Sequence, residues 1–155
     1  MGSDQFQRAV ELAYRSISRR DRTVAEVRGF LERKQVDPEP LEHALEELAA
    51  AGWLDDERFA QRFAEDKRTI ERWGAERIER ELRRRGVPAE AIAAAAGGQD
   101  RDDEMGAALE ILSQKAGRLD DDRERDRAWR LLVRKGYEPE LAYDAVREFG
   151  RRAAA

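Results

Sequence analysis

Leu82-Arg83-Arg84-Arg85-Gly86-Val87-Pro88-Ala89-Glu90 returns fifty residues later as Leu132-Val133-Arg134-Lys135-Gly136-Tyr137-Glu138-Pro139-Glu140. In both copies a leucine-bearing segment runs into basic residues, a glycine and then a proline. Cations suit the negative end of a helix, glycine takes the left-handed conformation that closes it, and proline opens the next one. A third copy, Leu31-Glu32-Arg33-Lys34-Gln35-Val36-Asp37-Pro38-Glu39, fits the same frame about 51 residues earlier. It carries Gln35 at the glycine position and is read with one extra residue before Leu41. Self-similarity at such a period marks stacked modules, here three helices in about 50 residues. A unit this small does not bury its apolar stripe alone, so neighbours must share surface. The expectation is an all-α chain of tandem three-helix repeats forming an elongated, curved helical array, with repeats at 4–54, 55–98 and 99–155.

Outward from that frame, a 3.6-residue period yields about nine helices. Phe6, Val10, Ala13, Tyr14 and Ile17 form one apolar face. Thr23-Val24-Ala25-Glu26 is a capping box ahead of Val27 and Leu31. Asp37-Pro38 places an N-cap before a first-turn proline, and Leu41, Ala44, Leu45 and Leu48 follow until Gly52. A longer helix is predicted from Asp55 through Phe59, Phe63 and Ile70 to Trp73, ended by Gly74. The next holds Ile78 and Leu82, and a short one after Pro88 holds Ile92. Gln99 to Asp103 reads as a polar linker. Helices carrying Met105, Leu109 and Leu112, then Leu131 and Leu132, then Leu141, Ala145, Val146 and Phe149 complete the chain.

Composition narrows the function. Charged residues make up 41% of the 155, and the net charge is −4. Residues 1–54 hold 8 basic and 10 acidic groups, 55–98 hold 10 and 10, and 99–155 hold 12 and 14. No basic domain is hidden in the total, so coating nucleic acid is not the expected main task. With no cysteine, disulfides, thiolate metal sites and a cysteine nucleophile are excluded. No apolar run approaches the ~20 residues that span a bilayer, and no signal segment opens the chain. A cytoplasmic protein without a membrane partner is expected.

The stretch Gly52-Trp53-Leu54-Asp55-Asp56-Glu57-Arg58-Phe59-Ala60 resembles the signature of the RecX family. Arg68, Gly74, Arg77-Ile78, Glu81-Leu82 and Gly86-Val87 follow at the family's spacings. The resemblance is specific over 52–87 and extends by repeat pattern over roughly Phe6 to Phe149. Gln35, where the family commonly has glycine, departs from it and leaves that turn's geometry open. The resemblance implies a cytosolic regulator that lodges in the groove of the RecA–DNA filament. It further implies restraint of strand exchange, ATP turnover and co-protease function. RecA is the implied partner, with DNA contacted within that complex and the chain itself a monomer. Gly52, Trp53, Leu54, Asp55, Asp56, Arg58, Phe59, Ala60, Gly74, Ile78, Leu82 and Gly86 are read as structural members of the motif.

The residues themselves offer few other sites. Asp55-Asp56-Glu57 and Asp120-Asp121-Asp122 read as acidic first turns that satisfy free N–H groups, in preference to a metal site lacking further oxygen ligands. His43 is the only histidine and has no nucleophile or orienting partner in view, so no catalytic residue, metal or cofactor is expected. Trp53, Trp73 and Trp129 are assigned to packing. The candidate partner-binding surface is cationic: Arg77, Arg80, Arg83, Arg84 and Arg85, echoed by Arg134 and Lys135. Glu76, Glu79 and Glu81 stand four residues before Arg80, Arg83 and Arg85, so ion pairs on a solvated face account for part of this patch. Arginine outnumbers lysine 26 to 4, favouring a planar fork that matches carboxylate or phosphate. The alternative function is a helix-turn-helix-like nucleic-acid binder acting without RecA, with 75–85 as its recognition helix.

Overall fold

The structure, a computed structural model, describes residues 2–155. Among them it contains nine α-helices and no strand. They are α1 (Gly2–Arg19), α2 (Val24–Arg33), α3 (Pro38–Ala50), α4 (Asp56–Thr69), α5 (Ala75–Arg84), α6 (Ala89–Ala96), α7 (Arg101–Lys115), α8 (Asp122–Lys135) and α9 (Pro139–Ala154). The all-α, tandem three-helix organisation read from the sequence is the one the chain adopts.

Local chemistry accounts for most helix ends. Thr23 and Glu26 form the expected capping box, each side chain accepting the other's backbone N–H. Asp37 occupies its N-cap position, but its side chain makes no capping bond and Pro38 alone starts α3. Two boundaries differ from expectation. Helix α4 stops at Thr69, because Arg72 turns into the left-handed region at φ 58° and Trp73 donates its N–H back to the Lys67 carbonyl. The polar stretch read as a linker is mostly helix: Asp100 caps α7 by accepting the Asp103 N–H at 2.8 Å, and its charges fill the first turn.

The repeat frame is carried by one turn built three times. Val36, Val87 and Tyr137 donate to the carbonyls of Leu31, Leu82 and Leu132 at 3.0, 3.1 and 3.1 Å. Gln35, Gly86 and Gly136 donate to Glu32, Arg83 and Val133 at 2.9 to 3.0 Å, with φ of 61°, 82° and 104°. This is a Schellman closure, and its apolar contact recurs as well, since all six of the outer residues are buried. Gln35 therefore keeps the turn that glycine makes elsewhere. The extra residue read before Leu41 is not needed: Leu41, Ile92 and Ala142 are buried at matching places, as are Ala44, Ala95 and Ala145.

The chain divides into two compact units, Met1–Arg62 with Leu82–Ile92, and Phe63–Glu81 with Ala93–Ala155. Helices α4, α5 and α6 thus supply residues to both. The first unit's core gathers Ala9, Ala13, Val27, Leu31, Leu45 and Leu54. The second gathers Ala108, Ile111, Leu112, Leu132, Tyr137 and Val146. Trp53 departs from the packing role assigned to it: Leu54 is buried instead, and Trp53 stands 51% exposed, edge-on to Tyr14 at 5.3 Å.

Candidate functional site

The start of α2 is a junction made by residues far along the chain. Its first N–H, from Val24, is taken by the Asp56 carboxylate at 2.9 Å, although Asp56 belongs to α4. Asp55, one residue earlier, caps α4 itself through the Arg58 N–H at 3.0 Å. The Thr23 hydroxyl donates to the Arg85 carbonyl at 2.7 Å. The Arg85 guanidinium binds both Glu26 oxygens, at 2.9 and 3.1 Å, and lies over the Phe59 ring at 4.5 Å. A Cβ on Gly86 would overlap the Ala25 Cβ. Glycine is needed there for close approach as well as for its positive φ.

The start of α5 repeats the device within the second unit. Its first N–H, from Ala75, is taken by the Glu104 carboxylate of α7 at 3.0 Å. The Gly136 turn seats on it, with Gly74 N–H donating to the Lys135 carbonyl at 2.8 Å and Glu76 N–H to the Gly136 carbonyl at 3.1 Å. Arg77 donates to the Arg134 carbonyl at 3.2 Å and stacks on Trp73 at 4.0 Å. The Tyr137 hydroxyl donates to the Arg72 carbonyl at 2.9 Å, and burial pushes its phenol well above the usual range.

The two caps share an electrostatic signature. Burial raises the Asp56 and Glu104 carboxyls above their ordinary values, and the backbone N–H each accepts only partly opposes it. Burial also raises Glu26, but the Arg85 hydrogen bonds and charge, with the Thr23 N–H, outweigh it and leave Glu26 lowered. The signs therefore differ. Asp56 and Glu104 bind a proton more readily folded than unfolded, so their contribution to stability falls as pH rises through the folded values. Glu26 contributes above its unfolded value and loses that contribution as pH drops through the folded one. Asp56→Asn, which keeps an acceptor without a charge to desolvate, is expected to match or exceed the parent's thermal midpoint at neutral pH. That margin should shrink as the pH is lowered. Asp56→Ala is expected to lose about 1 kcal/mol. Thermal melts of both variants across pH 4–8 check this, and an Asn variant as weak as the Ala variant would contradict it.

The candidate cations divide by employment. Arg85, its side chain 15% exposed, is engaged in the α2 junction, not in the expected pair with Glu81. Arg77 is spent on Trp73 and the Arg134 carbonyl. Lys135 donates to the Glu71 carbonyl at 3.0 Å, and burial, then Lys115 and Arg77, lowers its ammonium. Arg80 and Arg83 are exposed and form no ion pair among the described residues, so the i,i+4 pairs expected with Glu76 and Glu79 are absent. Arg84 and Arg134 are also exposed. Pattern reading passed over Glu104 because it sat beside an assumed linker. Its only signal was its place 48 residues after Asp56.

The remaining clusters show helix chemistry. Asp121 caps α8 through the Glu124 N–H at 2.8 Å. His43 is exposed and meets Phe6 edge-on at 6.2 Å. Among the described residues no group of three or more His, Cys, Asp or Glu is placed to hold a metal ion. No helix among them is long and apolar enough to cross a membrane.

Comparison with known proteins finds two family profiles on the chain. The profile of the RecX first three-helix domain matches residues 9–48, and that of the RecX second three-helix domain matches residues 55–95. The regulatory protein RecX of Amycolatopsis mediterranei is 34% identical over 148 residues, covering 94% of this chain and 85% of the relative. That of Chromobacterium violaceum is 37% identical over 137 residues, covering 88% and 84%. Among solved structures, RecX from Lactobacillus salivarius superposes with a TM-score of 0.84 over 95% of this chain and 97% of its own. At 16% identity it speaks for the fold alone.

Proposed function

The chain belongs to the RecX family of regulatory proteins, and from that premise we propose that it binds the RecA recombinase filament and restrains it by occupancy. Binding one polymer state better than another shifts the equilibrium by the difference in affinity. A bound chain blocks incoming duplex and competing proteins, lowering strand exchange, ATP turnover and co-protease activity. It acts as a monomer in the cytoplasm, without catalysis or a cofactor, and meets DNA only within the complex. The observation that carries this reading is the division among the cations. Arg77, Arg85 and Lys135 are consumed by the fold, whereas Arg80 and Arg83 on α5 are exposed and form no ion pair among the described residues. Exposed cations of this kind steer and orient docking on an acidic protein surface more than they stabilise a fold.

The test is strand exchange and ATP turnover by RecA on single-stranded DNA, with the chain added to saturation. Inhibition of both is expected. An Arg80→Glu, Arg83→Glu double variant should need about tenfold more protein for the same effect while keeping the parent's thermal midpoint. Unchanged strand exchange at saturating parent protein would overturn the proposal. Tight binding to DNA without RecA, with a steep salt dependence, would favour the nucleic-acid reading.

A further inference from the structure

Two of the three repeats show what fills the span between the end of the third helix and the start of the second. In the first repeat the chain leaving α3 is held where Trp53 and Leu54 donate to the Leu48 carbonyl at 2.9 and 3.3 Å. It buries Leu54 to 3% exposure and delivers Asp56 to the start of α2. After the second repeat, Glu104 reaches the start of α5 in the same way. The third repeat differs, because α9 runs on as a helix to Ala154 where α3 has already stopped. The corresponding span, from the start of α8 to the end of α9, is an open groove of about 880 Å³.

The groove has an apolar floor and a rim of four arginines and three aspartates, leaving a single excess positive charge. Leu119 and Val146 lie at its base, and Trp129 and Tyr143 line it, with Tyr143 60% exposed. Trp129 is fixed by its indole N–H on the Pro139 carbonyl at 3.0 Å. On the rim, Arg125 is paired with Asp122, Arg151 with Glu148, and Asp126 with Arg130. Arg118 and Arg147 are exposed and form no ion pair among the described residues, leaving Asp120 as the opposing charge. The first turn of α8 is already capped by Asp121, so an incoming carboxylate would meet guanidinium groups, not free N–H groups.

Resting on the filament-binding reading above, we infer that the α8–α9 groove docks an acidic segment of the partner protein that inserts one large aliphatic side chain beside Trp129 and Tyr143. The occupant's chemistry is that of this chain's own Leu54-Asp55-Asp56, which crosses the equivalent span in the first repeat. Its aliphatic residue fills the floor and its carboxylates face Arg118 and Arg147.

The experiment compares the parent chain with Arg118→Glu, Arg147→Glu and with Tyr143→Ser in co-sedimentation with RecA filaments on single-stranded DNA. A single-stranded oligonucleotide without RecA is titrated in parallel. Each variant is expected to bind filaments about tenfold more weakly at an unchanged thermal midpoint. Neither should differ from the parent toward the oligonucleotide. Variants that bind filaments as tightly as the parent would overturn the groove and leave the family reading standing. A parent chain that does not sediment with filaments would remove the reading itself. A loss confined to the oligonucleotide would make the groove a phosphate site and overturn the inference.

Discussion

Gly136→Ala is expected to lower the unfolding free energy by about 2–5 kcal/mol, a large fraction of what an ordinary domain possesses. Two effects add at this position. An alanine held at φ 104° pays the left-handed penalty of about 1–2 kcal/mol. Its Cβ would also overlap the Arg77 Cβ, lie 2.7 Å from the Arg77 nitrogen and 2.9 Å from the Gly74 carbonyl oxygen. None of these is the yielding tip of a long side chain, so backbone must shift, adding about 1–3 kcal/mol. Gly86→Ala should follow it for the same reason, against Ala25. Gln35→Gly is the contrasting substitution. Its turn is left-handed too, and glycine there should be neutral or stabilising by up to about 1 kcal/mol. Chemical denaturation followed by circular dichroism measures all three. Losses at 86 and 136 no larger than the left-handed penalty of about 1–2 kcal/mol would show that the turn alone, without docking, sets the requirement.

The second large effect is expected at Arg85. Arg85→Ala removes both bonds to Glu26 and the cover over Phe59, and strands a carboxylate that is itself 23% exposed in its side chain. Breaking a mostly buried pair from one side leaves an uncompensated charge, and a loss of about 2–3 kcal/mol follows. Arg80→Ala and Arg83→Ala, exposed on α5 just before it, should stay within about 0.5 kcal/mol of the parent. The same melts therefore separate the arginine that builds the fold from those left to meet a partner. If all three substitutions were equally mild, the Glu26–Arg85 clamp would carry no weight.

The architecture was legible because it rests on short-range chemistry stated three times. The leucine, the left-handed residue and the apolar residue after it form a local turn, and a local turn can be read from nine residues. Thr23 and Glu26 announced a capping box for the same reason. The junctions were not legible, because their partners are distant in sequence. Asp56 was read as an acidic first turn of its own helix, yet it caps a helix 32 residues earlier. Arg85 was paired on paper with Glu81, four residues away, and finds Glu26 at a separation of 59. Trp53 was assigned to the core by its size and hydrophobicity, but the turn after Gly52 sends Leu54 inward in its place. The α8–α9 groove left no motif, since its lining side chains come from two helices and the loop before them, spread over residues 118–154.

The long reach of the α2 junction also orders events in time. A ribosome delivers Val24, Ala25 and Glu26 well before Asp56, and Asp56 well before Arg85 and Gly86. The leading end of α2 therefore waits, its first N–H open to water until Asp56 emerges some thirty residues later, and its Glu26 unclamped until Arg85 follows. The start of α5 waits in turn for Glu104 and Gly136. The first and second triplets are each latched by the one translated after them, so maturation advances along the nascent chain as a sequence of clasps, and a translational pause near residue 80 would hold the first clasp unfastened.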